Sequence, residues 1–198
     1  MCVGALVPYV RTGAGAVATQ AFVNPYLGIR GLEYLADGMS AEEVVNKLVA
    51  DDAGIADRQV AVVDASGGSA AFSGDDCVDW FGHQTDENVA VAGNMLTGAE
   101  TLDAMLETWR TLEDRPLGER LLNALEAGLA AGGDKRGHRS AALVVVGEEE
   151  YPAINLRIDD ADAPVEALRS LFSTAQDKLF PILARLPSRK NPIGTPRA

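Results

Sequence analysis

The chain has 198 residues, 47% of them hydrophobic, which suits one globular domain with a sizeable core. Its formal net charge of -12 argues against nucleic acid and anionic membrane surfaces as partners, because both need clustered basic residues. No stretch is long and apolar enough to cross a bilayer, and the N-terminal run lacks the basic region of a signal peptide. Cys2 and Cys77 form no Cys-x-x-Cys pair, so they predict neither a disulfide framework nor a zinc site and fit a reducing cytoplasm.

The first quarter of the chain predicts two strands followed by two helices. Small and apolar residues fill positions 2–7 and 14–23, with Pro8 and glycines between them, as in neighbouring strands joined by a tight connection. Leucine and isoleucine then recur at helical spacing over residues 27–38. A capping-box pattern at Ser40 predicts the start of a second helix.

The rest of the chain predicts further strands and helices in clusters. A turn at "SGG", residues 66–68, predicts a β-hairpin over residues 58–74. "GHQTDEN", residues 82–88, predicts a turn. The remaining predicted elements are a strand at 88–96, helices at 102–109 and 117–131, strands at 140–147 and 154–159, and a helix at 163–177.

Clustered strands and paired helices predict sheets layered between helices rather than an alternating parallel sheet. We therefore predict an α+β fold, a four-layer αββα sandwich, over a three-layer arrangement. Residues 1–177 are predicted to form the domain. Residues 178–198 are predicted to form a flexible, solvated tail, in which basic side chains stand among prolines and glycine: Arg185, Arg189, Lys190 and Arg197.

The most polar connection between a helix and a strand is "AAGGDKRGHRSAAL", residues 130–143. A helix-to-strand turn needs a glycine at the end of the helix, but it does not need charged residues crowded beside it. One interpretation is a solvated turn. The other is a pocket in which Asp134 and Arg136 form an ion pair and Ser140 hydrogen-bonds a ligand.

Three amide side chains stand at the ends of apolar strands: Gln20 and Asn24 at one, Asn94 at another. A buried amide costs free energy unless it is hydrogen-bonded, so each pairs with backbone groups or faces a polar site. Structural pairing is favoured for each residue alone, but three such residues together favour a shared site. The predicted substrate-binding residues are therefore Gln20, Asn24, Asn94, Asp134, Arg136 and Ser140.

The sequence predicts no metal and no cofactor. His83 and His138 have no companion at metal-ligand spacing. A Ser-His-Asp triad has no positive support, because no Gly-x-Ser-x-Gly motif occurs.

Several stretches together resemble one bacterial family: "GAGAVATQAFVNPYLGIRGLEYLADG", "RQVAVVDASG", "AVAGNML", "LLNALEAGLAAGGDKRGHRSAALVVV" and "LRIDDADAPVEALRSLF". The family is domain of unknown function 1028 (DUF1028), which is grouped with the N-terminal nucleophile (Ntn) hydrolases, and the resemblance extends to about Phe172. It implies the αββα sandwich and, by analogy, a hydrolase of an amide-type bond. Ntn hydrolases use the side chain of their first residue as nucleophile and its α-amino group as base.

The start of the chain departs from this family, whose members usually begin with a further strand and turn. Two readings of Cys2 follow. It is an N-terminal nucleophile exposed by removal of Met1, or it is an ordinary strand cysteine in a chain whose true start lies upstream. The second is favoured, because Cys2 stands one strand away from the family's first residue. We then expect an upstream extension to improve folding, since "CVGALV" would otherwise be an unpaired edge.

Three functional hypotheses follow. The first is an amide-bond hydrolase that takes a small-molecule or peptide-like substrate in a cleft near the strand ends. The second is a catalytically silent binding or assembly module with the same fold. The third is a building block of a homo-oligomer.

Overall fold

The computed structural model describes residues 1–196 and shows a mixture of helices and antiparallel sheets, which confirms the α+β class. The strands are β1 Pro8–Arg11, β2 Gly15–Ala21, β3 Arg58–Asp64, β4 Ser69–Ser73, β5 Trp80–Asp86, β6 Val89–Leu96, β7 Ala141–Val146 and β8 Pro152–Ile158. The α-helices are α1 Pro25–Ala36, α2 Ala41–Asp51, α3 Glu100–Thr111, α4 Leu117–Ala130, α5 Pro164–Lys178 and α6 Phe180–Leu183. Short 3-10 helices span Val3–Ala5 and Ile55–Asp57.

Four strands form the first sheet, in the order β1-β2-β3-β4 and antiparallel throughout. Helices α1 and α2 cover one face of it and bury a core that includes Val17, Leu48 and Val60. Successive side chains of a strand point to opposite faces, so Ala18 and Gln20 of β2 face away from these helices. We call that opposite side the inner face of the first sheet.

Two further strand pairs, β5-β6 and β7-β8, form separate two-stranded sheets. Strand β6 lies against the inner face of the first sheet, because Gln59 of β3 donates hydrogen bonds to the Gly82 and Gly93 carbonyls, 3.0 Å each. Helix α3 packs on β6, and α5 packs on β7-β8 with Phe172 and Leu168 in the core between them.

The capping box predicted at Ser40 is confirmed. The Ser40 hydroxyl accepts a hydrogen bond from the Glu43 N–H, and the Glu43 carboxylate accepts one from the Ser40 N–H at 2.8 Å. The hydrogen bond from the Ser40 backbone lowers the pKa of Glu43 below its usual value. The α2 start was therefore readable from four residues of sequence.

The strand predicted at residues 2–7 is wrong, because Val3–Ala5 form a 3-10 turn and β1 begins only at Pro8. The Cys2 N–H donates to the Asp159 carbonyl at 2.9 Å, and the Val3 N–H donates to Ser140 Oγ at 3.2 Å. These bonds hold the first residues beside β7-β8 instead of extending the first sheet.

The turn predicted at residues 82–88 is also wrong for most of its length. Residues up to Asp86 belong to β5, and the turn comes only at residues 87–88, where Asn88 has a φ of 62°. The residues of β5 are all exposed or half-buried, and apolar residues do not recur at every second position along it. Pairing with the buried strand β6 makes this polar segment extended.

The C-terminal residues described by the structure contact the domain. Phe180 of α6 packs edge-on against Phe172, with ring centroids 5.8 Å apart. Arg189 and Lys190 form ion pairs with the β7–β8 connection, at Glu150 and Glu148. Arg197 lies outside the described residues, and the division at residue 177 stays a prediction.

Candidate functional site

A cavity of about 420 Å³ lies where the ends of β2 and β6 meet the connection between α4 and β7. Five of the six predicted binding residues line it together: Gln20, Asn94, Asp134, Arg136 and Ser140. They come from three distant parts of the sequence, and the fold brings them to one place. Its other walls are mainly apolar, formed by residues such as Ala92, Leu96, Met105, Leu125, Leu129 and Val165.

Gln20 is the penultimate residue of β2, and its side chain lines the cavity. Its amide nitrogen donates to Gln59 Oε1 at 2.6 Å and to the Ala92 carbonyl at 3.2 Å. These bonds fix the nitrogen, and within residues 1–196 no donor bonds the Gln20 Oε1 oxygen. The carbonyl oxygen of this amide therefore remains available to a ligand.

Asn94 enters the cavity from β6 and makes no side-chain hydrogen bond to any residue that the structure describes. Its amide therefore has both donor and acceptor capacity to offer. The next residue, Met95, has a φ of 56°, and Ala21, which follows Gln20, has a φ of 66°. Positive φ is unfavourable for such side chains, so both strands end in strained backbone beside the cavity.

Asp134 and Arg136 form the predicted ion pair, with both guanidinium bonds made to the carboxylate. Arg136 Nε lies 2.9 Å from Oδ1 and Nη2 lies 2.5 Å from Oδ2 of Asp134. Partial burial alone would raise the pKa of Asp134, but the hydrogen bonds from Arg136 outweigh burial and lower it below the usual range. The loop is tied to β6, because the Lys135 N–H donates to the Met95 carbonyl at 3.0 Å.

Ser140 and His138 complete the polar side. Ser140 Oγ accepts the Val3 N–H, which leaves the hydroxyl proton free to donate. His138 lines the same cavity, and its Nε2 atom is buried without a hydrogen-bond partner among the described residues. Buried polar atoms are normally paired, so this nitrogen is an unusual feature. His138 was not among the predicted binding residues, although it lines the same cavity as five of them do. Its place in the polar connection between α4 and β7 was the sequence signal that could have identified it.

Asn24 is not part of this cavity. Its side-chain oxygen accepts the Tyr26 N–H at the start of α1, and its nitrogen donates to Asp52 at 2.9 Å. Asparagine satisfies the free N–H groups of a helix start well, so the pairing is structural. The sequence could not distinguish a helix cap from a site residue at this strand end.

Cys2 lies next to the cavity rather than in it. Its side chain is exposed and free, and Val3 is the residue that lines the wall.

Across residues 1–196, no group of three or more His, Cys, Asp or Glu could hold a metal ion. The helices described there include none long and apolar enough to cross a membrane.

The sequence matches a family of unknown function, DUF1028, over residues 1–168. The chain belongs to the DUF1028 family. A crystal structure of a DUF1028 protein from Silicibacter pomeroyi is similar to it, with 33% sequence identity and a TM-score of 0.89. That similarity covers 100% of this chain and 89% of the Silicibacter chain. A comparison with curated proteins gives no match. The DUF1028 resemblance seen in the sequence is thus confirmed.

Proposed function

We propose that this DUF1028 protein binds a small molecule with an amide-type group in the 420 Å³ cavity. The observation that carries the proposal is the Asn94 amide, which is unpaired among the described residues and stands in a largely apolar cavity. A carboxamide offers one donor and one acceptor side by side, so a ligand amide can pair with it through two hydrogen bonds. Gln20 Oε1 and the Ser140 hydroxyl add an acceptor and a donor nearby.

The apolar walls suggest the rest of the ligand. Met105, Leu125 and Leu129 line the same cavity as the polar residues. A ligand with an amide at one end and an aliphatic group at the other would satisfy both sides, as small-molecule sites usually do. Peptide-like molecules such as N-acetylated amino-acid amides have this composition. The acidic chain is not proposed to bind nucleic acid.

Hydrolysis of the amide is the second candidate, favoured by one observation, the position of Cys2 beside cavity-lining Val3. In an Ntn-type reaction the thiol would attack the amide carbonyl, its proton would pass through the α-amino group to the leaving amine, and water would cleave the thioester. Removal of Met1 would be required. Binding is preferred over hydrolysis, because the exposed Cys2 side chain lies beside the cavity and is not among the residues that line it.

The Ntn-type αββα sandwich belongs to the same proposal. Helices α1 and α2 on one face of the first sheet, and β6 on its inner face with α3 beyond, support this layering. Both cysteines are free, which supports a reducing cytoplasm as the place of action. Exposed Phe22 and Tyr26 support self-association.

The test is titration of N-acetylleucinamide into the protein by calorimetry. We expect Asn94→Asp, which has nearly the same shape but no donor, to bind at least tenfold more weakly than the unmodified chain. The matched control is Asn155→Asp, on the exposed side of β8, which should bind normally. Equal affinity of the two variants would contradict the proposal.

Hydrolysis has its own readout, the appearance of free amine by mass spectrometry. Product from the unmodified chain that disappears in Cys2→Ala would establish the second candidate. Binding without product would leave the silent module as the function.

A further inference from the structure

His138 is a titratable side chain of the 420 Å³ cavity that the proposed function leaves without a role. It lies in the connection between α4 and β7, residues 131–140. Among the buried side-chain nitrogen and oxygen atoms of residues 1–196, its Nε2 alone has no hydrogen-bond partner. A buried polar atom without a partner costs free energy, so a ligand group that bonds to Nε2 would remove that cost.

The backbone is anchored on both sides of His138. Before it, the Gly137 N–H donates to the Asp134 carbonyl at 2.9 Å and closes a tight turn. Gly137 has a φ of 82°, which glycine adopts without strain. After it, the Ala161 N–H donates to the Arg139 carbonyl at 2.8 Å. The segment that carries the imidazole is therefore fixed before a ligand arrives, which lowers the entropy cost of binding.

His138 is also the one basic residue of this connection that forms no ion pair within the part of the chain that the structure describes. The other three do so: Lys135 with Asp79, Arg136 with Asp134, and Arg139 with Asp160 and Asp162. Asp134 is the acid of the connection itself, and both of its oxygens are bonded to Arg136. An acidic group on the ligand would give His138 the pairing that its basic neighbours already have.

The connection is tied to the strand end that carries Asn94. The Lys135 N–H donates to the carbonyl of Met95, the residue after Asn94, at 3.0 Å. This bond holds the segment of His138 against the segment of Asn94, and both side chains line the same cavity. A cavity of 420 Å³ has the size of a small-molecule site, so one ligand can reach both side chains.

We propose that the ligand of this cavity carries a carboxylate as well as an amide, and that the carboxylate accepts a hydrogen bond from His138 Nε2. The inference rests on the proposed function, since it names the second polar group of the same ligand. A carboxylate offers only acceptors and a negative charge, and its hydrogen bonds are shorter and stronger than those between neutral groups. With the apolar walls, this makes N-acylated aliphatic amino acids the ligand class.

The test compares N-acetylleucine with N-acetylleucinamide, which differ only in the carboxylate, by calorimetry. We expect the unmodified chain to bind the acid at least tenfold more tightly than the amide. His138→Phe should lower this ratio at least tenfold, because a phenyl ring has no donor, whereas His138→Gln keeps an N–H and should retain part of the ratio. The matched control is His83→Phe on β5, since His83 is exposed and should leave the ratio unchanged.

Long-range proton–nitrogen correlation NMR of the imidazole shows whether Nε2 itself is bonded. The chain has two histidines, so His138 is the only one left in the His83→Phe background. N-acetylleucine should shift its Nε2 signal, which a merely structural role of His138 would not explain. Inorganic phosphate that shifts the signal as far at equal concentration would overturn the proposal, because His138 would then be a general anion site.

The remaining outcomes separate this proposal from the proposed function. An acid-to-amide ratio near one, or a ratio that His138→Phe leaves unchanged, would overturn the carboxylate contact without affecting the Asn94→Asp comparison. Isocaproate has the carboxylate and the aliphatic chain but no amide. If it shifts the His138 signal while Asn94→Asp binds N-acetylleucinamide as its control does, the carboxylate contact stands and the amide pairing is refuted. Absence of binding by all three compounds would overturn both.

Discussion

Gln59→Met tests how the strand layers are joined, because Gln59 is fully buried and bonds across the layers. Its nitrogen donates to Ser73 Oγ at 2.7 Å and to the Gly82 and Gly93 carbonyls at 3.0 Å. Its oxygen accepts from Gln20 Nε2 at 2.6 Å. Methionine has a similar volume but can replace none of these bonds.

The expected loss follows from the groups left behind. The Gly82 and Gly93 carbonyls lie between the layers and would lose this donor, while the half-buried Ser73 and Gln20 side chains can rotate towards other partners. A buried group left unsatisfied costs about 1 to 3 kcal/mol. We therefore expect Gln59→Met to lower the free energy of unfolding by about 2 to 5 kcal/mol.

The measurement is urea unfolding of the unmodified chain and the variant, compared at constant m-value. The matched control is Gln84→Met, since Gln84 lies on β5 and donates to the exposed carboxylate of Asp103. That change should cost less than about 1 kcal/mol. If both variants lose a similar, small amount, the Gln59 network does not hold the layers together.

Three other changes probe local features. Ser40→Ala removes the capping box of α2 and should cost about 1 kcal/mol in urea unfolding, whereas an unchanged midpoint would argue that the cap is redundant. Gly28→Ala should cost about 1 to 3 kcal/mol despite alanine's helix preference, because its Cβ would lie 2.1 Å from the Tyr9 ring; a gain in stability would show that the ring moves freely. Burial raises the pKa of Asp64, but hydrogen bonds from Ser66 and neighbouring N–H groups outweigh it, so the folded pKa lies below the unfolded value of about 3.9. The contribution of the Asp64 carboxylate to the free energy of unfolding is therefore present above that value, and it is lost as the pH falls through the folded pKa. The stability difference between the unmodified chain and Asp64→Asn, measured at neutral pH and near pH 3, should shrink in acid, and a constant difference would contradict this assignment.

The shared polar site was predicted from amide side chains at the ends of apolar strands, where a buried amide needs a hydrogen-bond partner. Amides at the ends of buried strands need partners, and Gln20 and Asn94 both line the cavity. Asn24 satisfied the same rule by capping α1. The sequence could not tell a cavity-lining amide from a helix-capping one, because both positions provide the hydrogen bonds that the amide needs.

Most helices and the β3-β4 hairpin were predictable from local sequence. Their signals are capping residues, glycines and apolar residues at regular spacing, which all lie within a few residues of each other. The polar strand β5 and the 3-10 turn at Val3–Ala5 were decided by distant partners, β6 for the first and the β7-β8 pair for the second. The burial of His138 Nε2 and the pairing of β7 with β8 alone among the described strands are likewise tertiary facts. Local preferences determine which segments become helical or extended. Only packing determines which edges pair and which polar atoms lose contact with water.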